Sequence, residues 1–131
     1  MVYVHGGGGT IGSGKAYSNS SSLVHKGVVL VTINYRLGIL GYLAHRLLSE
    51  EQGGISGNYQ LMDMVQALKW VKAHIRGFGG DPDRVTVFGQ SFGGSAMLHL
   101  MLSPKARGMY DSIISQSGGG INDYATQASG S

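Results

Sequence analysis

Apolar positions along the chain fall into two kinds of run. Short unbroken runs predict buried strands at Val2 to Val4, Gly27 to Ile33, Val85 to Phe88 and Asp111 to Ser115. The run Gly27-Val28-Val29-Leu30-Val31-Thr32-Ile33 is the most β-branched and shows no alternation. Both of its faces are expected to be covered, as in a central strand of a parallel sheet. Elsewhere Leu61, Met64, Val65, Leu68, Val71 and Ile75 recur at three- and four-residue steps, which predicts a helix over 59–75 with one apolar stripe. Gly77, Gly79, Gly80 and Pro82 stop it. A second helix is predicted from about Phe92 to Leu102, ending before Ser103-Pro104. Residues 37–48 are apolar but broken by Gly38 and Gly41, with a short helical turn expected near 45–50 and a loop over 52–58.

Strand, crossover helix, strand, helix, strand is the grammar of a parallel α/β sheet. The first strand is short and begins at Met1, as though its beginning had been cut away. One partial domain is expected over residues 1–131, with a frayed tail from about Gly119.

Composition narrows the classes. Of 131 residues 42% are hydrophobic and 13% charged, enough apolar material to fill a core and too much for a disordered linker. The 23 glycines follow no three-residue period, which excludes collagen. With no cysteine there is no disulfide framework, thiol nucleophile or thiolate metal site. The net charge of +3 comes from singly scattered basic residues, so no nucleic-acid partner is expected. No run is long enough to span a membrane, and the first residues lack a basic start and a cleavage site, so a cytoplasmic protein is expected. The triplet Asn19-Ser20-Ser21 is a common chance sequon and carries no weight.

Two glycine clusters carry the candidate chemistry. Gly89-Gln90-Ser91-Phe92-Gly93 matches G-x-S-x-G between a predicted strand and a predicted helix. There the serine sits on a turn too sharp for side chains two positions before and after it, which pushes its hydroxyl above the sheet. The N–H of Phe92, at the helix start, would face a developing oxyanion. The plainer alternative makes Ser91 a helix N-cap. The second cluster is His5-Gly6-Gly7-Gly8 after the first strand, where glycines let successive N–H groups converge on one point.

The chain resembles the type-B carboxylesterase family, the cholinesterase-like branch of the α/β-hydrolases. The matching pieces are His5-Gly6-Gly7-Gly8, Val31 to Gly38, Gly57-Asn58-Tyr59, Asp63, Ala67-Leu68, Trp70-Val71, Ile75 and Phe78 to Pro82. Val85-Thr86, the Ser91 motif, Leu102-Ser103-Pro104 and Gln116-Ser117-Gly118 complete the series, and 45–57 looks like the bacterial members. The resemblance implies a truncated α/β-hydrolase core that hydrolyses small carboxylic esters through an acyl-enzyme, without a metal or cofactor. Ser91 would be the nucleophile, and Gly7, Gly8 and Phe92 would supply the three oxyanion N–H donors. Arg36, Asp63 and Asp81 would tie loops to the core.

Departures from that pattern are specific. The family places the acid and histidine of its triad beyond the serine, and both positions are absent here. Gln90 stands for the usual glutamate, Phe92 for the usual alanine, and Gly9 where an aromatic residue is typical. Among the histidines, His99 lies roughly 12 Å along a helix from Ser91. His74 faces away, and His25 precedes a strand at the wrong sheet end. His45 approaches if its loop folds over. His5 is the nearest candidate base, although its usual role in such proteins is to brace the glycine loop. Asp123 or a second subunit's histidine are further alternatives.

Two readings follow. One is a serine esterase, or its nucleophile-bearing piece, retaining a weak oxyanion-driven rate without the base. The other is a non-catalytic module of the same fold that acts by association, as some members of the family do. Only two good helices are available to cover the sheet, so one face or both edges should be apolar and open. Self-association as a homo-oligomer, or a missing partner segment, is the expected cure. A phosphate-binding loop is excluded, because Ala16 follows Lys15 where a hydroxyl residue is required. The isolated histidines form no metal pattern.

Overall fold

A computed structural model describes residues 1–18 and 21–119. The expected tail from Gly119 onward, Asp123 and the Asn19 sequon therefore fall, apart from Gly119 and Ser21, outside the described residues.

Four strands form one parallel sheet: β1 (Val2–Val4), β2 (Val31–Thr32), β3 (Thr86–Gln90) and β4 (Ser112–Gln116), in the order β2-β1-β3-β4. The helices are α1 (Ser21–Val24), α2 (Ile39–Tyr42), α3 (Arg46–Gln52), α4 (Tyr59–His74) and α5 (Phe92–Leu102). The fold is α/β, a small parallel sheet with crossover helices, as the alternation of runs predicts.

One expectation is corrected. The β-branched run at 27–33 is the edge of the described sheet and not its centre. Only Val31 and Thr32 are in a ladder, opposite Val2 and Tyr3, while Val28 to Leu30 are irregular and half-buried. The reason is the partner: β1 offers two register positions on that side, so pairing ends there. The central places go to β1 and β3, whose Val4 and Val87 are fully buried.

The core lies on one face of the sheet. Val2, Val4 and Val87 point into it and meet Met64, Leu68 and Val71 of α4 and Ala96, Met97 and Leu100 of α5. All the predicted stripe residues of α4 are buried except Leu61, which is half-buried. On the opposite face Tyr3 and Phe88 stand side by side in register. Tyr17, from a short 3-10 turn, stacks on Tyr3 at 3.9 Å and meets Phe88 edge-on. Ile114, next in that row, is 43% exposed. Among the described residues β2 and β4 each lack an outer partner, which is the openness that two covering helices imply.

Candidate active site

Strand β3 ends at Gln90 and α5 begins at Phe92, leaving one residue for the turn. Ser91 takes φ 56° and ψ −123°, a left-handed conformation rare for any residue with a side chain. The two flanking glycines have steric reasons. A Cβ on Gly89 would come within 2.5 Å of the Gly93 carbonyl, and one on Gly93 would drive into the Val4 carbonyl oxygen. The turn is held from outside by the Ser91 N–H, which donates to the Gln116 carbonyl at 2.9 Å, and by Ser95 N–H donating to the Ser91 carbonyl at 3.0 Å. Ser91 occupies the N-cap position of α5, yet its hydroxyl caps no N–H there. That removes the physical basis of the plain capping alternative.

The glycine loop leaves β1 and lies against this turn. A Cβ on Gly6 would stand 3.1 Å from the Ser91 Cβ and 2.8 Å from the Gln90 carbonyl oxygen. Gly7, Gly8 and Gly9 all have positive φ, at 109°, 62° and 71°, a path that only glycine follows without strain. The Gly7 carbonyl accepts from the N–H groups of Thr10 and Ile11, both at 3.1 Å, which closes the loop into a tight turn. Among the described residues the Gly7 and Gly8 N–H groups donate to no protein acceptor.

Residues that the sequence did not single out hold this loop. The Gly9 carbonyl accepts two hydrogen bonds, from Gly38 N–H and from the Gln60 side-chain amide, both at 2.7 Å. Gln60 is buried at the start of α4, four residues before Met64 on the same apolar stripe. A polar residue inside that stripe was the available signal. Tyr35 donates its hydroxyl to the His5 carbonyl at 2.6 Å, and burial pushes its pKa up.

The histidines divide as follows. His5 is buried, stacks on Tyr35 at 4.4 Å, and donates from Nδ1 to the Gly6 carbonyl at 2.7 Å. Its Nε2 is buried without a hydrogen-bond partner among the described residues. Its ring thus braces the glycine loop and makes no hydrogen bond to Ser91. The approach considered for His45 is corrected: its Nδ1 accepts from Leu47 N–H and caps α3. His25 and His74 are exposed, His74 beside Trp70. His99 is half-buried on α5, and burial lowers its pKa. Among the described residues no imidazole hydrogen-bonds the Ser91 hydroxyl.

Arg36 and Asp63 form the expected tie. The guanidinium grips the carboxylate through Nη2 at 2.8 Å and Nε at 2.9 Å, and the Arg36 backbone N–H adds a third bond at 2.8 Å. Burial opposes ionisation of Asp63, but the hydrogen bonds and charge of Arg36 outweigh it and hold the carboxyl below its ordinary range. Asp81 accepts from Asp83 N–H at 3.0 Å, a local turn closure. No group of three or more potential metal ligands gathers among the described residues, and no helix there is long and apolar enough to cross a membrane.

A family profile described as the carboxylesterase family matches residues 1–130. The chain belongs to the carboxylesterase family. It is similar to the fumonisin B1 esterase of Sphingopyxis macrogoltabida, 53% identical over 96% of this chain and 24% of that protein. Neuroligin-3 of Homo sapiens is 41% identical over 95% of this chain and 14% of that one. Among solved structures, a thermophilic PNB esterase superposes with TM-score 0.81 at 43% identity, covering 90% of this chain and 24% of that chain. A juvenile hormone esterase from Manduca sexta gives 0.79 at 42%, covering 89% and 21%. The chain therefore spans about a quarter or less of the length of these carboxylesterase relatives, and its sheet is a truncated α/β-hydrolase core.

Two departures from the carboxylesterase pattern meet in space. The Phe92 ring lies 5.9 Å from that of Tyr35 and edge-on to Tyr42 at 6.4 Å. Its Cζ is 3.0 Å from where a Gly9 side chain would begin. Behind the ring is a cavity of about 400 Å³, lined by Tyr42, Leu61, Met64, Ala96 and His99 among others.

Proposed function

We propose that this chain is the nucleophile-bearing part of a serine carboxylesterase of the type-B, cholinesterase-like branch. The observation that carries the reading is the conformation of Ser91, strained on a one-residue turn with its hydroxyl uncommitted to the helix. Strain of this kind persists only where the surroundings over-determine it, and it is typical of reacting positions. Ser91 Oγ attacks the carbonyl carbon of a small ester. The carbonyl π electrons move onto oxygen, and the N–H groups of Gly7, Gly8 and Phe92 stabilise that oxyanion. Collapse breaks the ester C–O bond, the departing oxygen takes up through water the proton that Ser91 gave up, and the alcohol leaves an acyl-serine, which water then hydrolyses to the free acid and Ser91. Neither step draws on a metal or cofactor.

With no imidazole on the Ser91 hydroxyl among the described residues, proton transfer is the weak element. Oxyanion stabilisation and binding alone leave about 10³–10⁴-fold over water in comparable serine hydrolases, which suits activated esters with good leaving groups. The test is intact mass spectrometry after exposure to an organophosphonate, with Ser91→Ala in parallel. Stoichiometric labelling of the parent alone supports the reading, and an unlabelled folded parent defeats it. A second reading, a non-catalytic module acting by association, is supported by a Ser91 hydroxyl without a hydrogen-bond partner and by sheet edges without outer strands among the described residues. It predicts no labelling, together with a concentration-dependent sedimentation coefficient.

A further inference from the structure

Phe92 touches both parts of the proposed site. Its backbone N–H is one of the oxyanion donors assigned above, so the residue borders the reacting carbonyl. The residue is 8% exposed, and its ring reaches the glycine loop at Gly9. The same ring lines the cavity of about 400 Å³ whose walls include Leu61, Met64 and Ala96. That volume is in the range of small-molecule sites, roughly 300–1,000 Å³, and such sites are mostly apolar. The ring therefore stands between the glycine loop and a cavity whose apolar wall of Leu61, Met64 and Ala96 is joined by the polar Ser56, Asn58, Gln60 and His99. The alcohol of an ester leaves during turnover, whereas the acyl chain stays attached to the protein. Interior space is of use to the arm that stays.

We propose that the Phe92 ring sets the size of the acyl group this site accepts. The ring closes the cavity off from Ser91 and restricts the protein to short acyl chains. The cavity behind it is an extension that houses a longer chain along its Leu61, Met64 and Ala96 wall once the ring is removed. This rests on the esterase reading above.

The experiment compares Ser91 labelling rates with p-nitrophenyl alkylphosphonates bearing methyl, butyl and hexyl groups, in the parent, Phe92→Ala and Phe92→Ala/Ala96→Leu. The parent should favour methyl over hexyl by at least about tenfold, a ratio within what pocket size alone supplies. Phe92→Ala should reduce or reverse that preference by about tenfold. The added leucine, refilling the cavity from a buried position of α5, should restore it. Phe92→Leu, a milder cut, should shift the preference the same way by less, and serves if the alanine variant does not fold. An unchanged methyl-to-hexyl ratio in the variants overturns the proposal.

Absence of labelling in every protein would instead defeat the esterase reading. The closure of the cavity is then judged by titrating 1-hexanol into the ¹⁵N-labelled proteins. Shifts that reach the Gly8 and Gly9 amides in Phe92→Ala but stop at Ala96 in the parent support a closing ring. Identical shift patterns overturn it.

Discussion

Replacing Ser91 by glycine should make the protein more stable, and replacing it by alanine should not. The backbone at 91 sits at φ 56° and ψ −123°, where a Cβ is in conflict with its own peptide. Such a conformation costs of order 1–3 kcal/mol for a residue with a side chain. Glycine removes that cost and adds back about 0.4–1 kcal/mol through the greater freedom of its unfolded chain. The Ser91 hydroxyl makes no hydrogen bond among the described residues, so its loss adds little. The balance favours Ser91→Gly over Ser91→Ala by about 1 kcal/mol, opposite in sign to the usual alanine advantage inside regular structure. Urea unfolding followed by far-ultraviolet circular dichroism reads the difference directly. With a slope of about 1–2 kcal/mol/M, the glycine midpoint should lie roughly 0.5–1 M above that of alanine. A glycine variant at or below alanine would mean that the turn stores no strain, and the main support for a reactive serine would be gone.

Other glycines should behave in the opposite way. Gly93→Ala forces the helix start into the Val4 carbonyl and should cost at least about 2 kcal/mol, in the range of overpacked sites. Gly77→Ala meets nothing within 4 Å, has no positive φ and should be neutral or slightly stabilising, so the pair of urea midpoints isolates the steric effect. Asp63→Asn should lower stability at pH 7 by about 1 kcal/mol, a value discounted because Arg36 is 48% exposed. Its folded pKa lies below the unfolded value of about 3.9, so the parent holds this contribution above pH 4 and loses it as pH falls through the folded pKa. Parent and variant midpoints should draw together as pH falls below about 4, and a constant gap would show that the pair contributes through packing and not charge.

Much of the fold was legible because it rests on local rules. The six-residue stripe of α4 and the Ser103-Pro104 stop after α5 mark those helices to within a residue. Gly89 and Gly93 could be assigned a steric role because the turn between strand and helix demands it wherever it occurs, and Val4 is the wall they avoid. The run at 27–33 misled for a physical reason. Continuous β-branched hydrophobicity reports burial, and a ladder also needs a partner of matching length, which β1 supplies only at Val2 and Tyr3. His45 was equally opaque, since capping α3 with an imidazole depends on where that helix begins.

Hardest to read were the substitutions that make sense only together. A missing side chain at Gly9 and a large one at Phe92 look, along the chain, like two separate losses from the carboxylesterase pattern. In the fold they are one exchange. The point where a Gly9 side chain would begin is crowded first by the Tyr42 hydroxyl and then by the Phe92 ring, so the aromatic bulk beside the glycine loop comes from the end of α2 and the start of α5 together. Gly9 is thereby left with its carbonyl as its means of fixing the loop, and that carbonyl takes two donors, Gly38 and Gln60. A glutamine within the apolar stripe of α4, an aromatic residue after the serine and a fourth glycine after His5 thus answer one another. Packing at close density leaves little choice: bulk added on one side of such a contact has to be removed from the other.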